Sequence, residues 1–202
     1  MADISAADVM KLRESTGVGM MDCKNALVDA AGDFDKAVKI LREKGAARAE
    51  KRMGREASEG VVHAYIHGAG RIGVLVEVNC ETDFVARTDQ FKGFVNDVAM
   101  QIAASAQTLS VTAADLPQEA VEAEKEIFAK QAESSGKPPE VIAKMVEGRI
   151  RKFYEEVCLL NQPFIKDDKK KVADILQEVI AACGENISIN RFVRFQLGEQ
   201  TD

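Results

Sequence analysis

The hydrophobic period of the chain changes along its length. From about residue 4 to residue 55 apolar positions recur at helical spacing. Val9 and Leu12 start one face, and Phe34, Ala37, Val38 and Leu41 follow the i, i+3, i+4, i+7 rule. Ser5 with Asp8 three residues on has the form of a capping box, Gly17 and Gly19 punctuate, Gly32 suits a helix end and Asp33 an N-cap. Three short helices are predicted, the second over roughly 21–31. From residue 62 the period falls to two. Val62, Ala64 and Ile66 alternate with His63, Tyr65 and His67. After Gly68-Ala69-Gly70-Arg71, the residues Ile72, Val74, Val76, Val78 and Cys80 alternate again. That pattern predicts a β-hairpin. Ile187, Ile189, Val193, Phe195 and Leu197 predict a third strand, with Arg191 on the same face. Three strands sharing one apolar face are about the least that makes a stable small sheet.

Between the hairpin and the third strand the helical period returns. Asp89 is predicted to cap a helix bearing Phe91, Phe94, Val95, Val98 and Ile102. Pro117 opens another, with Val121, Phe128 and Ala132 on a sparse stripe. Gly136-Lys137-Pro138-Pro139 forces a turn, and Val141, Ile142, Met145, Val146, Ile150, Phe153 and Val157 lead back. Two long helices across so tight a turn predict an antiparallel hairpin, read as a projecting coiled-coil arm. Asp168 is predicted to cap a last helix, with Val172, Ile175, Leu176, Val179 and Ile180, that ends at Gly184. The fold class is α+β: a small three-helix N-terminal domain over residues 1–45, a basic helical linker over 46–58, and an α+β core over 59–202. That core holds a three-stranded antiparallel sheet and the helical hairpin inserted at about 117–157.

Composition narrows the function. The 202 residues are 46% apolar and 30% charged, which is globular rather than disordered composition. A net charge of −6 argues against bulk affinity for phosphate backbones, and the absence of Trp with only two Tyr argues against single-strand binding by stacking. One basic stripe stands out: Arg42, Lys44, Arg48, Lys51, Arg52 and Arg55 against only Glu43 and Glu50. It reads as a solvated helical linker or as a patch for an acidic partner. Cys23, Cys80, Cys158 and Cys183 never form a CxxC pair, so a zinc ribbon is excluded and free thiols are expected. Asp3, Asp8, Lys11, Arg13 and Glu14 interrupt the first 14 positions, and no apolar run nears the ~18 residues of a membrane span. A soluble, cytoplasmic protein is expected.

Few motifs carry chemistry. Gly68, Gly70 and Gly73 satisfy GxGxxG, yet a dinucleotide site needs a helix after the glycines, and here a strand follows. His63 and His67 share a strand face but lie ~13 Å apart along it, too far for one metal. No catalytic frame is visible, so no enzyme activity, cofactor, metal, or direct nucleotide or nucleic-acid binding is expected. Met20 and Met21 point about 100° apart on a helix. One is expected in the core and the other exposed for a partner. Periodicity alone favours Phe84 tucked onto the sheet, with Asp83 capping the next helix.

Five segments carry a resemblance: TGVGMMDCKNAL (16–27), EVNCETDFVARTDQF (77–91), SGKPPEVIAKMVEGRIRKF (135–153), LLNQPFIKDD (159–168) and ENISINRFVRFQLGE (185–199). In this order they resemble the bacterial translation elongation factor Ts family over essentially the whole chain. The resemblance implies a ubiquitin-associated-like N-terminal domain and a guanine-nucleotide exchange factor for elongation factor Tu. It implies that the turn of Thr82, Asp83, Phe84 and Val85 enters the GTPase domain of that partner. Phe84 then acts as a wedge, magnesium is dislodged and GDP follows, which reverses the buried reading of Phe84. It implies partner contact for Arg13, Met20 and Met21, and for His67 in the core. Longer members carry two core subdomains. Here both core signatures sit on one hairpin over residues 65–85, the short form. A sheet face bearing His63, Tyr65, His67, Leu75 and Phe192 is then left to be covered. A homodimer in a 2:2 complex with elongation factor Tu is expected.

Overall fold

A computed structural model describes residues 4–134 and 136–199. Eight α-helices appear among them: α1 (Ala6–Thr16), α2 (Met20–Asp29), α3 (Phe34–Glu50), α4 (Asp83–Ala86), α5 (Asp89–Ala104), α6 (Gln118–Glu133), α7 (Pro139–Val157) and α8 (Val172–Cys183). The strands are β1 (Glu59–His67), β2 (Ile72–Cys80), β3 (Pro163–Phe164), β4 (Asp167–Lys171) and β5 (Ile187–Gln196). The chain divides into two compact units. One takes residues up to Val61, Val78–Val95 and Asp174–Ser188; the other takes Val62–Glu77, Asn96–Ala173 and the chain from Ile189.

In the first unit the N-terminal helices close around Val9, Leu12, Cys23, Ala26, Leu27, Ala30, Ala37 and Leu41. The local signals act as expected. Ser5 and Asp8 form a full capping box on α1, and the Asp33 carboxylate accepts the Lys36 N–H at 3.0 Å. Gly32 (φ 85°) ends the turn after α2, where its N–H reaches the Leu27 carbonyl at 2.9 Å. The Arg48 fork grips both oxygens of Asp22 at 2.7 and 3.0 Å, tying α3 to α2. Much of the basic stripe is paired in the same way. Lys44 meets Asp29 at 2.7 Å, and Arg42 meets Glu178 of α8 at 3.3 Å. A Cβ on Gly45 would stand 3.1 Å from the Ala181 Cβ, a tight contact that would push α3 and α8 apart by a few tenths of an ångström.

The second unit holds α6 and α7, which pack side by side with the chain reversed between them. The Arg149 guanidinium lies 5.7 Å from the Phe128 ring centroid and also donates to the Gln131 side chain. Beyond α7, β3 and β4 form a small antiparallel ribbon. A buried amide pair braces it. Gln101 Nε2 donates to Gln162 Oε1 at 3.0 Å and to the Pro163 carbonyl, while the Ile165 N–H returns to Gln101 Oε1 at 2.9 Å.

The main sheet is antiparallel in the order β1-β2-β5. Gly68, Ala69 and Gly70, all at positive φ, form the hairpin turn rather than a dinucleotide loop. Three expectations are corrected. Asp168 does not cap α8: it lies within β4, whose sequence DDKKK carries no apolar alternation. The hydroxyl of Thr88, not the carboxylate of Asp89, caps α5 by accepting the Phe91 N–H at 3.2 Å. The strands also do not present their apolar residues to one core. Val74, Val76, Val78 and Cys80 are buried, but on β1 the covered residues are His63 and Tyr65, while Val62 and Ile66 are exposed. Ile66 Cδ1 sits 3.5 Å from where a Gly73 Cβ would be, which pairs 66 with 73 and 64 with 75. Leu75 therefore shares the face of Ile66, not of His63. On β5 the pairing of Arg191 with Glu77 (2.7 Å) and of the Leu197 N–H with the Arg71 carbonyl (2.8 Å) puts Val193 and Phe195 on that same outer face.

Candidate functional site

After Cys80 the chain leaves β2 and turns through Glu81 and Thr82 into α4. Thr82 is extended (φ −131°, ψ 154°), the backbone state of an N-cap, and its Oγ1 accepts the Val85 N–H at 3.4 Å. The hydroxyl proton goes elsewhere. Thr82 Oγ1 donates to Glu185 Oε1 at 2.7 Å, and the Thr82 N–H donates to Glu185 Oε2 at 3.0 Å. A matching contact runs the other way: the Asn186 N–H donates to Glu81 Oε1 at 2.6 Å. Asn186 Nδ2 then holds the Arg55 carbonyl at 2.7 Å, and the Cys80 thiol donates to the Thr82 carbonyl at 3.1 Å. Asp83, not a cap, opens the single helical turn and pairs with Arg87 at 2.8 Å.

Phe84 stands at 77% exposure on this braced turn, while Ala86 is buried. The tucked position that periodicity favours is therefore corrected. In a turn of four residues anchored by Thr82 and the buried Ala86, the side chain two after the cap points outwards. Thiols nearby are kept protonated. Burial first, then the Glu185 charge, pushes the Cys80 thiol up, and the same causes in the same order, with Cys80 added, push Cys183 up to about 11. All four cysteines are free.

On the N-terminal helices both Met20 and Met21 are exposed, Met21 at 68%. The expectation that one is core is corrected: Cys23, Ala26, Leu27 and Ala30 fill the buried face, and Met20 falls in the first turn, before that face closes. Arg13 lies exposed in the last turn of α1. Two exposed apolar neighbours escaped sequence reasoning, Met10 on α1 and Val28 on α2. Their signal was present, since each sits one residue off a core position and so about 100° round the helix.

In the second unit His67 is exposed at the end of β1. Its Nδ1 pairs with the Tyr65 hydroxyl at 2.9 Å, and the two rings stack with centroids 5.9 Å apart. Between α6 and α7 runs an apolar groove lined by Ala129, Pro139, Ile142, Ala143, Val146 and Ile150. Among the described residues no group of three or more His, Cys, Asp or Glu side chains could hold a metal, and no helix is long and apolar enough to cross a membrane.

Comparison with known proteins adds the family. The profile of a family described as Elongation factor TS matches residues 21–199. A protein named Elongation factor Ts from Carboxydothermus hydrogenoformans is 62% identical over 196 residues, covering 97% of this chain and 90% of the relative. Those of Caldanaerobacter subterraneus subsp. tengcongensis and Coprothermobacter proteolyticus, with the same name, are 60% and 56% identical. They cover 97% and 98% of this chain and 98% and 100% of their own lengths.

Proposed function

This chain belongs to the elongation factor Ts family, and from that membership we propose that it is the guanine-nucleotide exchange factor of elongation factor Tu, acting in translation elongation in the cytoplasm. The turn of Thr82, Asp83, Phe84 and Val85 enters the GTPase domain of the partner. Phe84 is the wedge, magnesium is dislodged, GDP leaves and GTP rebinds. The observation that carries this reading is the exposure of Phe84 on a turn anchored at Thr82 and Glu81. An exposed Phe with no packing role in its own chain has its apolar surface free for another.

Exchange needs no bond chemistry from this chain. Two ligands of one protein that disfavour each other share one coupling free energy. A coupling of ~4 kcal/mol weakens the nucleotide roughly a thousandfold. Magnesium is held by few protein oxygens together with phosphates, so a small displacement of its ligands loosens it. The N-terminal module over 1–45, ubiquitin-associated-like in kind and followed by the linker at 46–58, supplies docking through Arg13, Met20 and Met21. Exposed Met suits adaptable apolar contact. His67 adds a contact from the core, and the α6–α7 hairpin at about 117–157 is an antiparallel coiled-coil arm.

We also infer that the protein is a homodimer forming a 2:2 complex. The outer sheet face leaves Val62 (69%), Ile66 (65%), Phe195 (61%) and Leu197 (67%) in water, with Leu75 and Val193 between them. So continuous an apolar face is a surface for association, and a second copy packed face to face about a two-fold axis covers both at once. This face differs from the one first expected.

The test is release of a fluorescent GDP from purified elongation factor Tu. Substoichiometric amounts of this protein accelerate release in repeated turnovers. Release unchanged at equimolar protein would overturn the reading.

A further inference from the structure

Thr82 caps the first turn of α4, and its N–H and hydroxyl are held by a residue 103 positions away. The Thr82 N–H and hydroxyl both donate to the Glu185 carboxylate, one to each oxygen. The cap of α4 depends on this. A threonine hydroxyl has one proton and can rotate. With that proton committed to Glu185 Oε1, the Oγ1 lone pair is directed at the Val85 N–H, which it accepts. A helix of one turn gains almost nothing from its own propagation, so its direction is set by whatever fixes its first residue. Hydrogen bonds to an ionised carboxylate are about twice as strong as neutral ones.

The contact is doubled. Glu81, next to Thr82, accepts the N–H of Asn186, next to Glu185. Each glutamate thus holds the backbone of the residue that follows the other, at the exit of β2 and the entry of β5. Asn186 is 6% exposed and ties the pair to the Arg55 carbonyl, and Arg55 faces Glu81 at 3.5 Å. All of these residues lie in the first compact unit. Neither glutamate is needed to fill a core, and neither belongs to a metal cluster.

We propose that Glu185 is a positioning residue for nucleotide exchange: its carboxylate locks the Thr82 cap and so holds Phe84 in the orientation the partner meets. This rests on the reading of the 82–85 turn as the exchange element. Asp83 and Phe84 touch the partner, whereas Glu185 acts through Thr82. Its loss therefore lowers the rate of release at saturation more than it lowers affinity for the partner.

Two measurements on the full chain separate the proposal from the reading beneath it. The first needs no partner: amide hydrogen exchange over residues 82–86 in Glu185→Ala. Exchange at Thr82 and Val85 is expected to quicken about tenfold or more while α1 to α3 stay at wild-type protection, since a lost clasp opens locally. The second is fluorescent-GDP release from elongation factor Tu, with Phe84→Ala as reference. Glu185→Ala is expected to cut the maximal release rate by roughly tenfold and shift the half-saturating concentration by no more than about twofold, the split that a merely structural defect would not give. Glu185→Gln keeps one acceptor but turns an amide N–H₂ toward the second donor, so it is expected to fall between wild type and Glu185→Ala. Thr82→Val and Glu185→Ala combined are expected to cost no more than the worse of the two. Should Glu185→Ala fail to fold, Glu185→Gln and Thr82→Val carry the test. Wild-type release from these variants beside an impaired Phe84→Ala would overturn the proposal. Wild-type release from Phe84→Ala would overturn the reading of the turn, and wild-type hydrogen exchange at Thr82 in the glutamate variants would overturn the clasp.

Discussion

Two parts of the molecule leave apolar groups in water, and they do so differently. At the turn of residues 82–85 a single ring, Phe84, is exposed above a segment tied by six hydrogen bonds and ion pairs around Thr82, Glu81 and Glu185. On the outer sheet face six large apolar side chains are exposed over three strands and the residue after β5, beside the ion pair of Glu77 with Arg191. The first arrangement spends its order on the direction of one side chain. The second offers area with little directional content, since apolar burial scales with surface and is not directional. The comparison teaches that exposure alone does not define a role. A point held rigidly suits insertion into a partner at one place, whereas a broad face suits a surface that matches it, its own copy included.

The largest effect is expected on the sheet. Phe195→Asp puts a charge on the edge-strand side of the face, where burial without a partner costs roughly 3–5 kcal/mol, so association should weaken by about a hundredfold or more. Light scattering at micromolar concentration checks it. Wild type is expected at twice 22.0 kDa and the variant at 22.0 kDa. A wild type already at 22.0 kDa would remove the dimer altogether. Next comes the turn. Phe84→Ala is expected to slow GDP release at saturation by roughly 10- to 100-fold, the size of a lost interface anchor of about 2 kcal/mol. Its thermal unfolding should move little, because an exposed side chain outside any core changes stability by within about 0.5 kcal/mol. A large drop in melting temperature would mean that Phe84 packs on its own chain, and would collapse the contrast between the two regions.

A smaller effect is expected where docking is proposed. Met21→Ala should weaken binding to elongation factor Tu by several-fold to about tenfold, as for a contact worth ~1 kcal/mol, and leave release at saturation near wild type. Titration calorimetry beside the release assay checks the split. The smallest effect concerns the bundle that presents the methionines. The Arg48 hydrogen bond holds the Asp22 carboxyl below the usual carboxylate range against the opposing push of burial, and the charges of Arg48 and Lys44 add smaller pulls the same way. A folded-state pKa below the unfolded value near ~3.9 adds stability above that value, and the gain is lost as pH falls through the folded pKa. Arg48→Ala should therefore cost no more than about 1 kcal/mol at pH 7, given the solvent exposure of the pair, and its difference from wild type should vanish in acid. Melting curves from pH 7 down through about pH 2 check both parts.

The sequence by itself determined what local chemistry can determine. Capping residues, glycines at helix ends and the 3.6 period located α1 to α3, and Pro117 and the Gly-Pro turn framed α6 and α7. Strict alternation located β1 and β2. The motif around residue 82 also carried the family, because it is a contiguous string. What tertiary structure decided were questions of pairing. Alternation says that Val62 and His63 lie on opposite faces but not which face is covered, and the covered one proved to be that of His63 and Tyr65. The ribbon of β4 has no apolar period to betray it, so its strand exists through pairing with β3 alone. Phe84 reads as core by residue type, and only the fold shows that nothing covers it. The bracing of Thr82 by Glu185 was invisible for the plainest reason. The two residues are 103 apart in the chain, each is an ordinary polar residue in its own neighbourhood, and a hydrogen bond between them leaves no trace in the spacing of either.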